Sequence, residues 1–248
     1  MNELFFELFE GLPRQGPGDT ASTLKALDII PPLAAEARIL DLGCGTGAQT
    51  LVLARHTPAH ILALDNHAPF VQELRAKAAT LGLGGRVEAR VGDMAKLDLP
   101  DDAYDLIWSE GAIYSIGFDA GLERWRSLLK PGGHLAITEA CWLTADCPAE
   151  CAAFWASEYP AIRTVAANLA AIERCRYEPR GHFALPGSSW WDEYYTPLEA
   201  KVSAFRERHV NEPEALDLAA QVEREIHMHR AYGDCYGYVF FVMRRPAA

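Results

Sequence analysis

From Arg38 the chain reads Arg-Ile-Leu-Asp-Leu-Gly-Cys-Gly-Thr-Gly, a short apolar run that breaks into Gly43, Gly45 and Gly47. A buried strand that stops this abruptly must turn within a few residues. Glycine allows such a turn and lets a ligand approach with no Cβ in the way. Thr46 to His56 then reads as a helix, with Pro58 just beyond. The loop therefore opens onto a helix N-terminus, where backbone N–H groups are free. Few folds contain a strand, a glycine turn and a helix in this relation.

The same rhythm continues. Strands are expected at His60 to Leu64, Arg86 to Val91, Tyr104 to Trp108 and His134 to Glu139. Helices are expected between them at Pro69 to Leu81 and Asp119 to Leu129, the latter stopped by Pro131-Gly132-Gly133. Short strands separated by helix-length segments form βαβ units and a mainly parallel sheet. Ahead of this core lie a helix at Leu4 to Phe9, a Gly/Pro-rich turn from Gly11 to Gly18 and a helix from Thr20 to Ile30, closed by Pro31-Pro32. Behind it the pattern changes. Helices are expected at 148–157, 164–176, 196–209 and 213–231, the last with Asn211 as its cap, together with a strand at His182 to Leu185. Tyr236 to Met243 is a final apolar strand. No linker divides the chain. One domain over 1–248 is expected, with a helical lid at 1–32, a ligand-binding core at 36–140, an insertion at 141–235 and a last strand at 236–244.

The net charge of -11 over 248 residues argues against nucleic acid or an anionic membrane as the main partner, because both reward basic patches. No apolar run is long enough to span a bilayer, and the N-terminus carries acids where a leader needs bases, so a cytoplasmic location is expected. The six cysteines include no CxxC pair, and neither His nor a further Cys completes a zinc pattern near Cys147 and Cys151. No metal is expected.

Gly43-x-Gly45-x-x-Ala48 also satisfies a dinucleotide fingerprint. Asp65, at the end of the second strand, can accept from both hydroxyls of a ribose, which suits either kind of nucleotide ligand. Gly92-Asp93-Met94 ends the third strand, where a carboxylate can accept from an adenine amino group. Tyr104-Asp105-Leu106-Ile107 and Lys130-Pro131-Gly132-Gly133 mark the fourth and fifth strands. In this order the motifs over residues 36–140 resemble the class I S-adenosylmethionine-dependent methyltransferases, and most of all the small-molecule branch near the ubiquinone and menaquinone biosynthesis methyltransferases.

The resemblance implies a Rossmann-like α/β fold with a seven-stranded, mostly parallel sheet and an antiparallel last strand. It implies S-adenosyl-L-methionine as cofactor and a small-molecule methyl acceptor. Gly43, Gly45 and Gly47 would floor the methionine end of the cofactor. Asp41 would orient that loop and reach the cofactor's amino group. Asp65 would hold the ribose, Asn66 would lie along the adenine, and Asp93 with the Met94 backbone N–H would read its edge. Ser109 and Glu110 would lie near the transferable methyl. Glu110, with Tyr114 and Arg14, is the expected catalytic set, and Arg14 belongs to a loop suited to act as a lid. A wall of aromatics from Tyr114, Trp190, Trp191, Tyr194, Tyr195, Tyr232 and Tyr236 could grip the acceptor. His227 and His229 read as a solvated helix face.

Two rival readings remain open at this level. An NAD-dependent oxidoreductase is disfavoured because no Tyr-x-x-x-Lys pair is present: Trp108, Phe118 and Arg163 stand four residues after Tyr104, Tyr114 and Tyr159. A protein that binds the cofactor without catalysis is the other. A homodimer through an edge strand or a helix is possible on this reading.

Overall fold

The computed structural model describes residues 3–247. The first two residues of the expected lid, and Ala248 at the far end, lie outside the described residues. The lid segment is α1 (Glu3–Phe9) and α2 (Thr20–Leu27). The core alternates β1 (Arg38–Leu42), α3 (Ala48–His56), β2 (His60–Asp65), α4 (Ala68–Thr80), β3 (Val87–Val91), β4 (Tyr104–Ser109), a 3-10 turn (Ile113–Ser115), α5 (Phe118–Arg126) and β5 (Leu129–Trp142). The insertion holds α6 (Ala149–Glu158), β6 (Arg163–Thr164), α7 (Val165–Arg174) and β7 (Glu178–Ala184). It continues with α8 (Ser188–Trp190), a π turn (Trp191–Tyr195), α9 (Thr196–Arg208) and α10 (Pro213–Tyr232), before β8 (Tyr236–Arg244) closes the sheet.

The sheet runs β3-β2-β1-β4-β5-β8-β7, with the two-residue β6 added beside β5. Strands β3 to β5 along this path are parallel, and β8 is antiparallel to both of its neighbours. This is the expected seven-stranded path with a reversed last strand. The chain order reverses direction across the sheet between β1 and β4, and the strand ends there form the crevice where open α/β sheets bind ligands.

Apolar side chains cover both faces. On one, Ile107, Leu135, Ile137, Cys141 and Phe241 pack with Phe118, Leu122 and Trp125 of α5 and Ile172 of α7. On the other, Ile39, Ile61, Leu106, Trp108 and Phe240 pack with Leu53 of α3, and with Val71 and Leu74 of α4. A third core sits away from the sheet's centre. It joins Leu8 and Phe9 of α1 to Phe154 of α6, Leu198, Val202 and Phe205 of α9, and Ile226 of α10. The two ends of the chain thus share a core.

Several boundaries differ from expectation for local reasons. Helix α3 starts at Ala48 because Gly47, at φ +88°, is still left-handed. Helix α5 ends at Arg126, and Lys130-Pro131-Gly132-Gly133 is taken up into β5, which runs on past Glu139 to Trp142 along β8. Helix α10 is preceded by Glu212 with Pro213 at its first turn, so Asn211 is not the cap.

Candidate functional site

The carboxyl ends of β1 to β4 open into a cavity of about 360 Å³, within the range of small-molecule sites. Gly43, Gly45, Asp65, Asn66, Asp93 and Met94 line it, and so do Arg14, Glu110 and Tyr114. Asp41, Gly47 and Ser109 do not reach it; each braces the frame behind it.

The loop after β1 is held by its own backbone. Gly43 N and Cys44 N donate to the Leu64 carbonyl at 2.9 and 3.0 Å, and Gly47 N donates to the Cys44 carbonyl at 2.9 Å. A Cβ on Gly43 would fall 2.3 Å from Ala112 Cβ, at φ +72°. A Cβ on Gly47 would fall 2.1 Å from Leu74 Cδ1. Gly47 is therefore fixed by the packing of α4, whereas Gly43 and Gly45 border the cavity.

The Asp65 carboxylate accepts from Gly45 N through Oδ2 and from His67 N through Oδ1, both at 2.9 Å. It ties the β1 loop to the β2 loop at the cavity rim. Burial raises its carboxyl above the usual range, against these backbone donors. Asp93 Oδ1 accepts from Ala95 N at 2.8 Å, and Trp125 Nε1 donates to the Met94 carbonyl at 3.4 Å. Asp41 is fully buried and accepts from Thr50 Oγ1 at 2.5 Å and Gln49 Nε2 at 3.3 Å. Burial pushes its carboxyl up to about 7. It anchors α3 beneath the loop, and Gln49 stands between it and the cavity. Ser109 Oγ donates to the Leu42 carbonyl at 2.8 Å and staples β4 to β1. The place expected for Ser109 beside the methyl group is thus not where its hydroxyl goes, because the strand pleat turns it inward.

Glu110, expected in the catalytic set, has its carboxylate taken up by neighbouring side chains. Arg14 donates to Oε2 at 3.2 Å, and Thr23 Oγ1 and Trp108 Nε1 donate to Oε1 at 2.7 and 2.9 Å. The Arg14 and Glu110 side chains are 5% and 4% exposed. Arg14 also donates to Glu193 of the π turn at 2.9 Å. With three donors on its carboxylate, Glu110 positions the lid loop. Next to it, Gln15 Nε2 donates to the Leu12 carbonyl at 3.1 Å, and Gln15 Oε1 accepts from Thr46 N at 3.0 Å. That carbonyl oxygen lies 2.6 Å from where a Gly45 Cβ would be. Asp19 caps α2 and receives Ser189 Oγ, and Gly18 N donates to the Ser189 carbonyl at 2.9 Å. The lid is thereby tied to the insertion. Phe5, Phe6 and Phe70 close the outer end of the cavity, with Phe6 stacked 3.6 Å over His67.

The expected aromatic wall is mostly core. Trp190, Tyr194, Tyr195 and Tyr236 are buried among themselves, and Tyr114 is the member of that set that lines the cavity. His229 is not on a solvated face. It is 5% exposed and stacked 4.3 Å from Trp190, and burial pushes its imidazole down to about 4. Sequence reasoning gave no sign of Thr23 and Trp108 as partners of Glu110, or of Glu139, a buried acid within β5. The partner of Thr23 is 87 residues away, beyond the reach of any local pattern.

No helix among the described residues is long and apolar enough to cross a membrane. Among the same residues no group of His, Cys, Asp and Glu could hold a metal ion.

Comparison with known proteins agrees with this geometry. A family model described as a methyltransferase domain matches residues 33–201. A sterol 24-C-methyltransferase of Neurospora crassa is 29% identical over 112 residues, which cover 45% of this chain and 29% of that protein. The bifunctional biotin biosynthesis protein BioCD of Bordetella avium is 43% identical over 107 residues, covering 42% of this chain and 22% of that protein. The chain thus spans under a third of these relatives. Among solved structures, a SAM-dependent methyltransferase of Thiobacillus denitrificans in complex with S-adenosyl-L-homocysteine superposes with a TM-score of 0.83 at 19% identity, over 98% of both chains. One from Geobacter sulfurreducens, in complex with the same molecule, gives 0.82 at 22% identity, also over 98% of both. The fold is theirs. The family match extends over the glycine loop, the strand ends and most of the cavity wall, and on it this chain belongs to the methyltransferase domain family.

Proposed function

We propose that this protein transfers a methyl group from S-adenosyl-L-methionine to a small-molecule acceptor. The observation that carries this reading is the convergence of Gly43, Gly45, Asp65, Asn66, Asp93 and Met94 on one cavity from three successive strand ends. The cradle fits the cofactor chemically. A carboxylate stands where two ribose hydroxyls could donate, and a Cβ at Gly43 would collide with the wall. Asp65 would hold the ribose, Asn66 and Asp93 would flank the adenine, and Phe5, Phe6 and Phe70 would keep water from it.

When bound, the cofactor supplies an electrophilic methyl on a sulfonium, so the protein's share is positioning and desolvation. Arg14 and Glu110 hold the lid loop across the cavity, and Gln15 rests on the glycine loop. A second reading, binding without methyl transfer, keeps a footing because the cyclase SpnF has the same fold, at a TM-score of 0.73 and 21% identity over 92% of this chain and 81% of that one.

Calorimetric titration with S-adenosylmethionine and S-adenosylhomocysteine tests the cofactor. Saturable binding of both is expected, and binding of NAD in their place would overturn the proposal. Transfer of a labelled methyl to a metabolite extract separates the two readings: label on a small molecule supports the enzyme, and tight cofactor binding with no label supports the second reading.

A further inference from the structure

The lid loop puts an amide into the wall of the cavity. Arg14, Gln15, Gly16 and Pro17 line that wall, and Gly45 and Gln49 line it too. Gln15 Oε1 lies 2.6 Å from where a Cβ on Gly45 would stand, so the glycine leaves room for the amide. The frame fixes which way the amide points. Nε2 donates to the Leu12 carbonyl at 3.1 Å, and Oε1 accepts from Thr46 N at 3.0 Å. A primary amide has two N–H donors. The frame uses one of them, and the other remains in a half-buried side chain that borders the cavity.

Gln49 is placed in a similar way. It lies in the first turn of α3, is buried, and lines the same cavity. Its Nε2 is spent on Asp41 at 3.3 Å, and its Oε1 accepts from no donor among the described residues. Thr46, whose N–H Gln15 holds, is fully buried with its hydroxyl unpartnered among the same residues. Charge at this wall is already committed. Arg14 is the one cation that lines the cavity among the described residues, and it lies between Glu110 at 3.2 Å and Glu193 at 2.9 Å. A bare anion finds no free cation here. A group that carries its own positive and negative charge needs none, and it can use a neutral donor and a neutral acceptor together.

We propose that Gln15 reads the amino-acid head of the cofactor, so that the lid loop is held closed by a ligand that carries this head and not by the nucleoside alone. This rests on the methyltransferase reading above, in which Asp65, Asn66 and Asp93 take the nucleoside. The spare N–H of Gln15 donates to the carboxylate of the head, and Gln49 Oε1 accepts from its ammonium. Neither contact requires the bonds to Leu12 and Thr46 to break. The head thus adds a tie between the lid loop and α3, where the free protein has the Thr46 bond. A hydrogen bond to a charged group is stronger than one between neutral groups. The same loop reaches the insertion, through Arg14 to Glu193 and from Gly18 N to the Ser189 carbonyl. Fixing the loop at Gln15 therefore also steadies its hold on the insertion.

Calorimetry on the full chain compares S-adenosylhomocysteine with methylthioadenosine, which keeps the nucleoside and the thioether but lacks the head. Gln15→Leu is expected to weaken S-adenosylhomocysteine about 10-fold, the size of one hydrogen bond to a charged group, and methylthioadenosine by less than about twofold. An equal loss for both ligands, or a loss below about threefold for S-adenosylhomocysteine, overturns the role of Gln15. Hydrogen exchange on the wild type decides the matter even if Gln15→Leu does not fold. The amides of residues 11–18 are expected to exchange about fivefold more slowly under saturating S-adenosylhomocysteine than under saturating methylthioadenosine. Equal protection by the two ligands overturns closure of the lid by the head. Binding of neither ligand by the wild type overturns the cofactor reading, and the role of Gln15 with it. Binding of both, with no difference made by the head or by Gln15, overturns the role of Gln15 alone.

Discussion

The cavity rim and the packed core under the insertion satisfy their polar groups to different degrees. Around the cavity, Asp65, Asp93 and the glycine-loop backbone are held by backbone groups a few residues away or on the next strand, with Thr46 Oγ1 the buried atom left without a partner among the described residues. In the packed core of the insertion and of the strands beneath it, Glu139 Oε2, Trp155 Nε1, His229 Nδ1 and the Tyr236 hydroxyl are buried with no partner among the described residues. A backbone-framed rim keeps nearly all of its polar atoms occupied. Buried atoms left over in a core are a standing cost to stability. Arg14 links the two regions, through Glu110 just past β4 and Glu193 on the π turn.

The largest effect is expected from cutting that link. Arg14→Met leaves the Glu110 charge buried, and removing one partner of a buried pair costs about 4 kcal/mol. Urea denaturation should report it, and a loss below about 1 kcal/mol would mean that the two sides fold independently of this pair.

His229 sharpens the account of the insertion's core. Its folded-state value, about 4, lies below the ordinary imidazole value of 6.5. A depressed value gives stability that is present above pH 6.5 and lost as pH falls toward 4. The loss is on the order of 3 kcal/mol. His229→Phe should flatten the melting temperature between pH 6.5 and pH 4, and an unchanged slope would show that His229 takes up its proton freely. Glu139 has the opposite sign. Its value is raised by burial from 4.5 to about 7, so its contribution is present below pH 4.5 and lost as pH rises through 7. Glu139→Gln should therefore stabilise the protein at pH 8 relative to wild type, by melting temperature.

At the cavity rim, Asp65→Ala removes an acceptor from two backbone donors and from the proposed ribose contact. S-adenosylhomocysteine affinity should fall about 100-fold by calorimetry, and a fall below about threefold would remove Asp65 from the site. The smallest effect is expected at the exposed surface of α4. Lys77→Ala breaks a pair with Glu73, 2.7 Å apart and four residues away, and a long 3.4 Å contact with the Thr46 carbonyl, and should cost about 0.4 kcal/mol in urea denaturation.

The two sides also differ in how far they could be read from residues alone. The alternation of strands and helices, the glycine loop and the carboxylates at 65 and 93 are all local. A strand's apolar run, a positive φ and a strand-end acid each show within a few neighbours. Those features were legible, and the cavity gathers most of them. Of the exceptions, the strand pleat turned Ser109 inward, toward Leu42, and the packing of α4, a tertiary contact, claimed Gly47.

What the tertiary structure alone decided is the pairing of distant groups. Glu110 stood with Arg14 and Tyr114 in the expected catalytic set, and the fold brings Arg14, 96 residues away, and Thr23, 87 residues away, onto its carboxylate. His229 looked solvated until Trp190 covered it. Glu139 looked like the end of a strand until β8 extended β5 past it and closed it in. Backbone conformation and periodicity are set by adjacent side chains, so the sequence carries them openly. Charge, burial and hydrogen bonding depend on what the rest of the chain brings to the same place, and only the folded packing fixes that.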